Sequence, residues 1–442
     1  MVTGMKDWPV LTFAADAPAL IATDTQLSWR ALHDRVILRA KQLEVPSKPP
    51  HVFIHARNSI ELVVEILACQ QRGWIPVLCN PRHPEKIAQD LFRGVQQDWH
   101  SLPDLPEDVA DIMFTSGSTG APKAVVHTHA AQRASAEGAN LHLPFGPGMR
   151  WLVSLSLCHV GGLGILERAL VGGGALVIPE PNETLWDACQ RFSVTHLSLV
   201  RTQLGDFLGD ESRTAALENC DAILLGGGPC PANILQHALS KKLRIAQTWG
   251  LTETCAQVCT SDLGSPETCG RPLPHRRVKR LPDGRLAVAG PVLASGYLIP
   301  GALSLPMDEE GFFITQDRGE IDGDGRITIA GRADLVFDSG GENIQPEHIE
   351  NILLQHPDIE DAMIVPVPHP KWGQRPFAFV FTKTDLNPQN IRDFLSERLP
   401  RFSIPDVIHP WPASETRIKA SRQRLRQIAI ERYASSSSSG TN

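Results

Sequence analysis

Thr115-Ser116-Gly117-Ser118-Thr119-Gly120-Ala121-Pro122-Lys123 follows directly on the apolar run Asp111-Ile112-Met113-Phe114. That order predicts a buried strand that breaks into a loop at its end. Two glycines let the loop turn tightly and bring backbone N–H groups close to an anion. The hydroxyls of Thr115, Ser116, Ser118 and Thr119 add donors, and Lys123 adds a positive charge. Such a loop suits a polyphosphate. It is not a Walker loop, because GxxxxGK[ST] is absent. The competing reading is a solvated Ser/Gly linker, but a linker seldom stands against a buried strand and closes on Pro-Lys.

On both sides of this loop short apolar runs alternate with helical patterns. Upstream, 51–55 and 74–79 read as strands, and 59–71 and 84–93 as helices. Downstream, strands are expected at 151–155, 175–178, 196–200, 222–225 and 244–248. Strands separated by helices imply parallel sheets covered on both faces. After about Gly270 the pattern changes. Pro282-Asp283-Gly284 and Asp322-Gly323-Asp324-Gly325 mark hairpins. From Asp334 onward helices (346–354, 388–398) alternate with strands (362–367, 377–382), as in a separate small α+β unit.

A chain of 442 residues exceeds one ordinary core, so two domains are expected. The net charge of −7, with no long basic run, argues against nucleic acid as a partner. The nine cysteines are scattered, odd in number and without a CxxC pair, so neither a zinc site nor a disulfide framework is indicated. Cys255 and Cys259, spaced i, i+4, read as buried thiols. No apolar stretch reaches the length of a membrane span, and Met1–Phe13 lacks a basic lead into an apolar run. A reducing cytoplasm fits these features. Oligomeric state, including a homo-oligomer, is left open.

The phosphate-suited loop resembles the signature of the acyl-adenylate-forming (AMP-binding) superfamily, which holds acyl–coenzyme A ligases, luciferases and peptide-synthetase adenylation domains. Other stretches match in the same order. Gly226-Gly227-Gly228-Pro229 resembles the loop lining the adenine. Gln247-Thr248-Trp249-Gly250-Leu251-Thr252-Glu253-Thr254 resembles the aromatic-Gly-x-Thr-Glu element, with Trp249 in place of the usual Tyr. Thr315-Gln316-Asp317 resembles Thr-Gly-Asp, and Gly331-Arg332-Ala333-Asp334 the Gly-Arg-x-Asp at the domain hinge. Ser339 to Pro346 resembles the loop that follows, and Ile418-Lys419 stands where the family has its late Gly-Lys. Ser154 to Gly164, with the later stretches, is most similar to the o-succinylbenzoate–coenzyme A ligases of menaquinone synthesis. The matches run from about residue 50 to about 425.

The resemblance implies an α/β fold. Layered sheets with helices and a small barrel-like β region would fill an N-terminal AMP-binding domain (1–332), followed by a mobile α+β cap domain (333–433). A Ser-rich tail (434–442) is expected to be disordered. The implied reaction joins o-succinylbenzoate to coenzyme A through an acyl-adenylate, with ATP, Mg2+ and coenzyme A as partners. Another aryl- or fatty-acyl-CoA ligase, or an enzyme loading a carrier protein, are the alternatives.

By the same resemblance Thr115, Ser116, Gly117, Ser118, Thr119, Gly120 and Lys123 would hold phosphate. Gly226, Gly227, Gly228, Thr248, Trp249 and Gly250 would line the base, and Asp317 and Arg332 the ribose side. Thr252, Glu253 (also the Mg2+ ligand), His159 and Lys419 would serve the chemistry. His159, Gly162 and Arg168 would meet the acid, Asp334 would be the hinge, and Gly340 and Gly341 would face coenzyme A. Each has a plainer rival: a helix-capping Glu253, a surface Asp317–Arg318 pair, a core His159 at a strand end, an exposed helix arginine at 168, and glycines that only pack a helix closely.

Overall fold

A computed structural model of the chain describes residues 15–43, 51–102, 106–115, 122–228, 230–415 and 421–437. Ser116 to Gly120 of the glycine-rich loop, and Lys419, lie outside the described residues.

Two mixed sheets form the larger part. The nine-stranded sheet runs Arg271–Pro272, Ala256–Thr260, Ile245–Leu251, Ala222–Gly226, His196–Val200, Arg150–Leu152, Ala175–Val177, Pro18–Ala22, Thr25–Ser28. Its centre is parallel and its two ends are antiparallel. The six-stranded sheet runs Ala302–Ser304, Gly296–Ile299, Ala124–Thr128, Val109–Phe114, Ile75–Leu78, His51–Ile54. Here the expectation of parallel pairing holds for three strands only. Val109–Phe114 and Ala124–Thr128 form an antiparallel hairpin, so the glycine-rich loop is its connection.

The helix Ile60–Gln71 is buried over most of its surface by a broad apolar face, with Glu61 and Glu65 on the side that pairs with Arg35 and Arg39. It shares one core with Val160–Gly172 and with residues of both sheets, including Leu78, Met113 and Trp151. Ser59 caps its start, accepting from the Leu62 N–H at 3.0 Å. The β region is an open four-stranded antiparallel sheet, Arg277–Arg280, Arg285–Ala289, Phe313–Ile321, Ile327–Arg332, with its hairpin turns at the expected Asp-Gly sites.

Beyond Arg332 a three-stranded sheet (Ile359–His369, Gly373–Thr382, Val407–Pro410) carries the helices Pro346–Leu353, Pro388–Ser396 and Arg422–Ser437. It touches the larger part through Arg201, which donates to Asp361 Oδ1 at 2.5 Å, and Asn233, which donates to the Leu354 carbonyl at 3.3 Å. The tail expectation is corrected for its first four residues, since the last helix passes the boundary at 433 and runs to Ser437; 438–442 lie outside the described residues. Extending a helix already nucleated costs little, so alanine and serine can continue it without a new nucleus.

Candidate active site

The hairpin that frames the glycine-rich loop is closed at its neck. The Thr115 N–H donates to the Lys123 carbonyl at 3.0 Å, and the Lys123 N–H donates to Thr115 Oγ1 at 3.3 Å. Lys123 therefore leaves the loop at a fixed place. Its ammonium lies 4.6 Å from the centre of the Tyr297 ring, within cation–π range. The Tyr297 hydroxyl in turn donates to Glu253 Oε1 at 2.5 Å. Burial first, and then the Glu253 charge, push the phenol's pKa up, so it stays a donor.

Glu253 sits in the short 3-10 turn Thr252–Thr254, which is pinned at two of its carbonyls and at that of the next residue, Cys255. His127 Nε2 donates to the Thr252 carbonyl at 2.8 Å, the Ala294 N–H to the Glu253 carbonyl at 2.8 Å, and Ser135 Oγ to the Cys255 carbonyl at 2.6 Å. The turn exits through Cys255 (φ +50°) and Ala256 (φ +89°), a left-handed path that non-glycine residues seldom take. Behind it His127 and Asp111 are fully buried, with Nδ1 2.8 Å from Asp111 Oδ1. Gln132 donates to the other Asp111 oxygen. A carbonyl only accepts, so His127 Nε2 carries a hydrogen. Burial alone would lower the ring's pKa, but Asp111 and the Thr252 carbonyl outweigh it and raise it, favouring the imidazolium. Sequence reasoning missed Asp111, His127 and Tyr297. The signal for the first two was a polar residue inside each apolar strand.

A second group stands beside the first. Trp249 Nε1 donates to Asp317 Oδ2 at 2.7 Å, and Arg332 Nη1 lies 3.5 Å from Asp317 Oδ1. The surface-pair reading of Asp317 with Arg318 is thus excluded: Asp317 is 6% exposed and its partner is Arg332. Burial is the leading influence on its carboxyl and raises its pKa, against the Trp249 bond and Arg332. Arg332 also grips both oxygens of Asp334 at 2.9 Å each. Trp249 differs from expectation. Its ring packs among Val258, Cys259, Leu286 and Val288, and its polar edge orients Asp317. Gly250 is required, because a Cβ there would stand 1.9 Å from the Ala256 carbonyl oxygen. The Thr248 hydroxyl is spent on the Cys259 carbonyl at 2.8 Å. Gly226 ends its strand, and Gly227 (φ +82°) and Gly228 (φ +147°) follow in conformations that side chains avoid.

The third feature is a small cavity just past Glu253, lined among others by Gln132, Ser135, Gly164, Glu167, Arg168 and Gln257. Arg168 is not an exposed helix arginine. It is 3% exposed, and its donors reach Asn140 Oδ1 (2.8 Å), Gln257 Oε1 (3.2 Å) and the Leu143 carbonyl. Its guanidinium lies 4.4 Å over the Trp151 ring. Burial, then Arg276, lower its pKa to about 9. Burial, then Asp111, raise the neighbouring Glu167 carboxyl to about 8.

Two expectations are corrected. His159 does not end a strand; that strand stops at Leu152, and His159 is the N-cap residue of Val160–Gly172. Its Nε2 accepts from Asn80 Nδ2 at 3.0 Å, and the Arg82 N–H on Asn80 Oδ1 fixes which way that amide faces. Gly162 does not open the cavity, because its Cβ position lies 2.1 Å from the Ser156 carbonyl oxygen; it lets helix and loop pack closely. The cavity glycine is Gly164. Gly340 and Gly341 form the positive-φ turn of the hairpin Phe337–Ser339 / Glu342–Ile344, away from these groups in sequence. The nine cysteines are free thiols, and among the described residues no cluster of three or more His, Cys, Asp or Glu could hold a metal.

Comparison with known proteins agrees with this geometry. Residues 88–298 match the profile of the AMP-binding enzymes, and 348–418 that of the AMP-binding enzyme C-terminal domain. The 2-succinylbenzoate–CoA ligase of Salmonella typhimurium is 34% identical, over 96% of this chain and 98% of that protein. The structure of an arginine-to-lysine variant of E. coli MenE with bound OSB-AMS is 30% identical with a TM-score of 0.83, covering 98% of this chain and 100% of the other. o-Succinylbenzoate CoA synthetase from Bacillus subtilis, in complex with the acyl-adenylate OSB-AMP, is 26% identical with a TM-score of 0.81, over 96% and 99%. With a relative this similar along almost its whole length, the chain belongs to the AMP-binding enzyme family.

Proposed function

We propose that the chain is an acid–thiol ligase, joining 2-succinylbenzoate to coenzyme A at the expense of ATP, by way of an acyl-adenylate, in menaquinone biosynthesis. The observation that carries this reading is one constellation: Lys123 and Glu253 bridged by Tyr297, beside the Trp249–Asp317–Arg332 group, with a cationic cavity directly behind.

A carboxylate oxygen attacks the α-phosphorus and pyrophosphate leaves; the thiol then attacks the carbonyl and AMP leaves. Both partners of the first step are anionic, so fixed cations must offset their repulsion. Lys123 stands at the mouth of the glycine-rich loop for this purpose, with Thr115 and the loop's Ser116 to Gly120 around the phosphates. Lys419 is assigned the same role at the α-phosphate. Asp317, its orientation set by Trp249, accepts from the ribose hydroxyls, and Arg332 positions the nucleotide. Gly226 to Gly228 let the base approach the backbone at the end of a parallel strand.

Glu253 fits magnesium. It offers hard carboxylate oxygen in a rigid turn, to an ion that takes most of its shell from phosphates and water. Bound there, the ion would supply neutralisation of phosphate charge. At the acid, His159 precedes the cavity-lining Val160 and is assigned to the reacting end, and Arg168 faces the aromatic carboxylate that is not activated. Residues 333–433 act as the cap, turning about Asp334 so that Gly340 and Gly341 face the thiol step. No helix among the described residues is long and apolar enough to cross a membrane. The free thiols agree with a reducing cytoplasm, where we place the enzyme.

Exchange of labelled pyrophosphate into ATP across a panel of acids tests the reading. Exchange should depend on acid, with 2-succinylbenzoate best. A much better response to benzoate or a fatty acid would move the substrate, and transfer to a pantetheinylated carrier but not to coenzyme A would move the acceptor.

A further inference from the structure

Tyr297 is one of only two tyrosines in the chain, and its position is set by strand register. It pairs with Val125 in the neighbouring antiparallel strand, and Lys123 lies two residues from Val125. Residues two apart share a face, so Lys123 and Tyr297 are diagonal cross-strand neighbours. Gly296, just before it, has φ +149° and room for no Cβ, since that atom would sit 2.8 Å from the Ser304 nitrogen. The backbone on either side is also tied: the Ser295 N–H donates to the Val126 carbonyl at 2.9 Å, and the Ala294 N–H to the Glu253 carbonyl at 2.8 Å. The ring therefore stands on a rigid strand, with the ammonium of Lys123 over its face at 4.6 Å and the Glu253 carboxylate at its hydroxyl at 2.5 Å.

We propose that Tyr297 is a positioning residue of the metal–nucleotide site, whose ring seats the Lys123 ammonium while its hydroxyl aims the Glu253 carboxylate. The two groups come from separate elements, a hairpin loop in one sheet and a 3-10 turn after a strand of the other; His127 and the Ala294 N–H tie the backbones together, and Tyr297 bridges the two side chains. Occupying one carboxylate oxygen with a phenol leaves the other for the ion. It also spares Glu253 from pairing with Lys123, which would silence both charges. The inference rests on the reading of Lys123 and Glu253 given above.

The test separates hydroxyl from ring. Mn2+, a paramagnetic stand-in for magnesium, is titrated with a non-hydrolysable ATP analogue and its binding is followed by electron paramagnetic resonance. Tyr297→Phe should weaken Mn2+–nucleotide binding by about ten- to a hundredfold, the range for losing a hydrogen bond to a charged group. It should leave metal-free nucleotide affinity and the KM for the acid unchanged. Tyr297→Leu should in addition weaken metal-free nucleotide binding, because Lys123 loses its platform. Equal Mn2+ affinity in Tyr297→Phe and wild type would overturn the proposal, as would an equal loss for metal-free nucleotide.

A measurement on the unsubstituted protein guards against misfolded variants. With 3-fluorotyrosine in place of tyrosine, the fluorine resonance of Tyr297, assigned by its loss in Tyr297→Phe, should broaden when Mn2+ and nucleotide bind; an unbroadened Tyr297 signal would overturn the proposal. Failure of the underlying reading looks different. Wild type would then bind no Mn2+–nucleotide, or Glu253→Gln would bind it as well as wild type does.

Discussion

Glu167 offers the sharpest quantitative prediction. It lines the cavity next to Arg168, and removal from solvent, then the Asp111 charge, hold its pKa at about 8 against an ordinary 4.5. A carboxyl whose folded pKa is raised stays protonated in the native state after the unfolded chain has ionised. Below pH 4.5 both states are protonated and nothing is lost. Between 4.5 and about 8 the native state binds the extra proton, so stability falls as pH rises, and above that it levels off. At about 1.4 kcal/mol per pH unit the full window is worth about 5 kcal/mol, and about 3 kcal/mol after allowing for relaxation and water entry on ionisation. Glu167→Gln keeps the shape and removes the titration. Urea unfolding of both proteins at about pH 5 and about pH 8.5 should give a difference that favours the variant and grows with pH by about 3–5 kcal/mol. Comparing the pair cancels the other titrating groups. The same ionisation would set a second negative charge beside Arg168. The KM for 2-succinylbenzoate should therefore rise from about pH 8 in wild type, and begin to rise only at higher pH in Glu167→Gln, where the lowered pKa of Arg168 alone acts. Parallel pH profiles for the two proteins would refute the assigned environment of Glu167.

Other substitutions probe the neighbouring groups. Trp249→Phe keeps a ring but frees Asp317 Oδ2; loss of a hydrogen bond to a buried carboxylate should raise the KM for ATP about tenfold to a hundredfold and leave that for the acid alone, read from initial rates. Arg168→Ala should both raise the KM for 2-succinylbenzoate and lower the melting temperature, because it strands Asn140, Gln257 and the Leu143 carbonyl. Arg168→Lys retains the charge without the fork and should recover part of the KM defect while the melting temperature stays lowered; an equal KM penalty for an acid lacking the aromatic carboxylate would make Arg168 structural. Lys419→Ala should slow adenylate formation at least about a hundredfold while thioester forms from synthetic acyl-adenylate at the wild-type rate; equal impairment of both steps in a well-folded variant would contradict domain alternation.

Much of the architecture was legible because strand and helix periods are local. The alternation from His51 to Leu251, the two Asp-Gly hairpins and the change of pattern after Gly270 all follow from spacing that each segment carries in itself. What the sequence could not display was how distant segments meet. Tyr297 looks like one residue in a short strand until the register with Val125 places it between Lys123 and Glu253. Arg168 reads as solvent-facing from charge alone, because Asn140 and Gln257, which satisfy it, lie on other elements. Gly162 was misjudged for the same reason: a glycine grants space, and only the position of the Ser156 carbonyl says whether ligand or backbone fills it. His159 reads as a strand-end residue because the largely apolar run Trp151–Leu157 outlasts the three-residue strand, and burial in a loop leaves the same pattern as burial in a sheet.

The central claim is that this site activates one particular dicarboxylate and hands it to coenzyme A. Complete turnover, with ATP, Mg2+ and coenzyme A present, measures it most directly, as kcat/KM for thioester formation with 2-succinylbenzoate, benzoate and a medium-chain fatty acid. 2-Succinylbenzoate should lead by at least about a hundredfold, the scale of one well-met charged group plus a fitted ring, with one AMP and one pyrophosphate released per thioester. Comparable values for benzoate or the fatty acid, or AMP release without thioester, would contradict it.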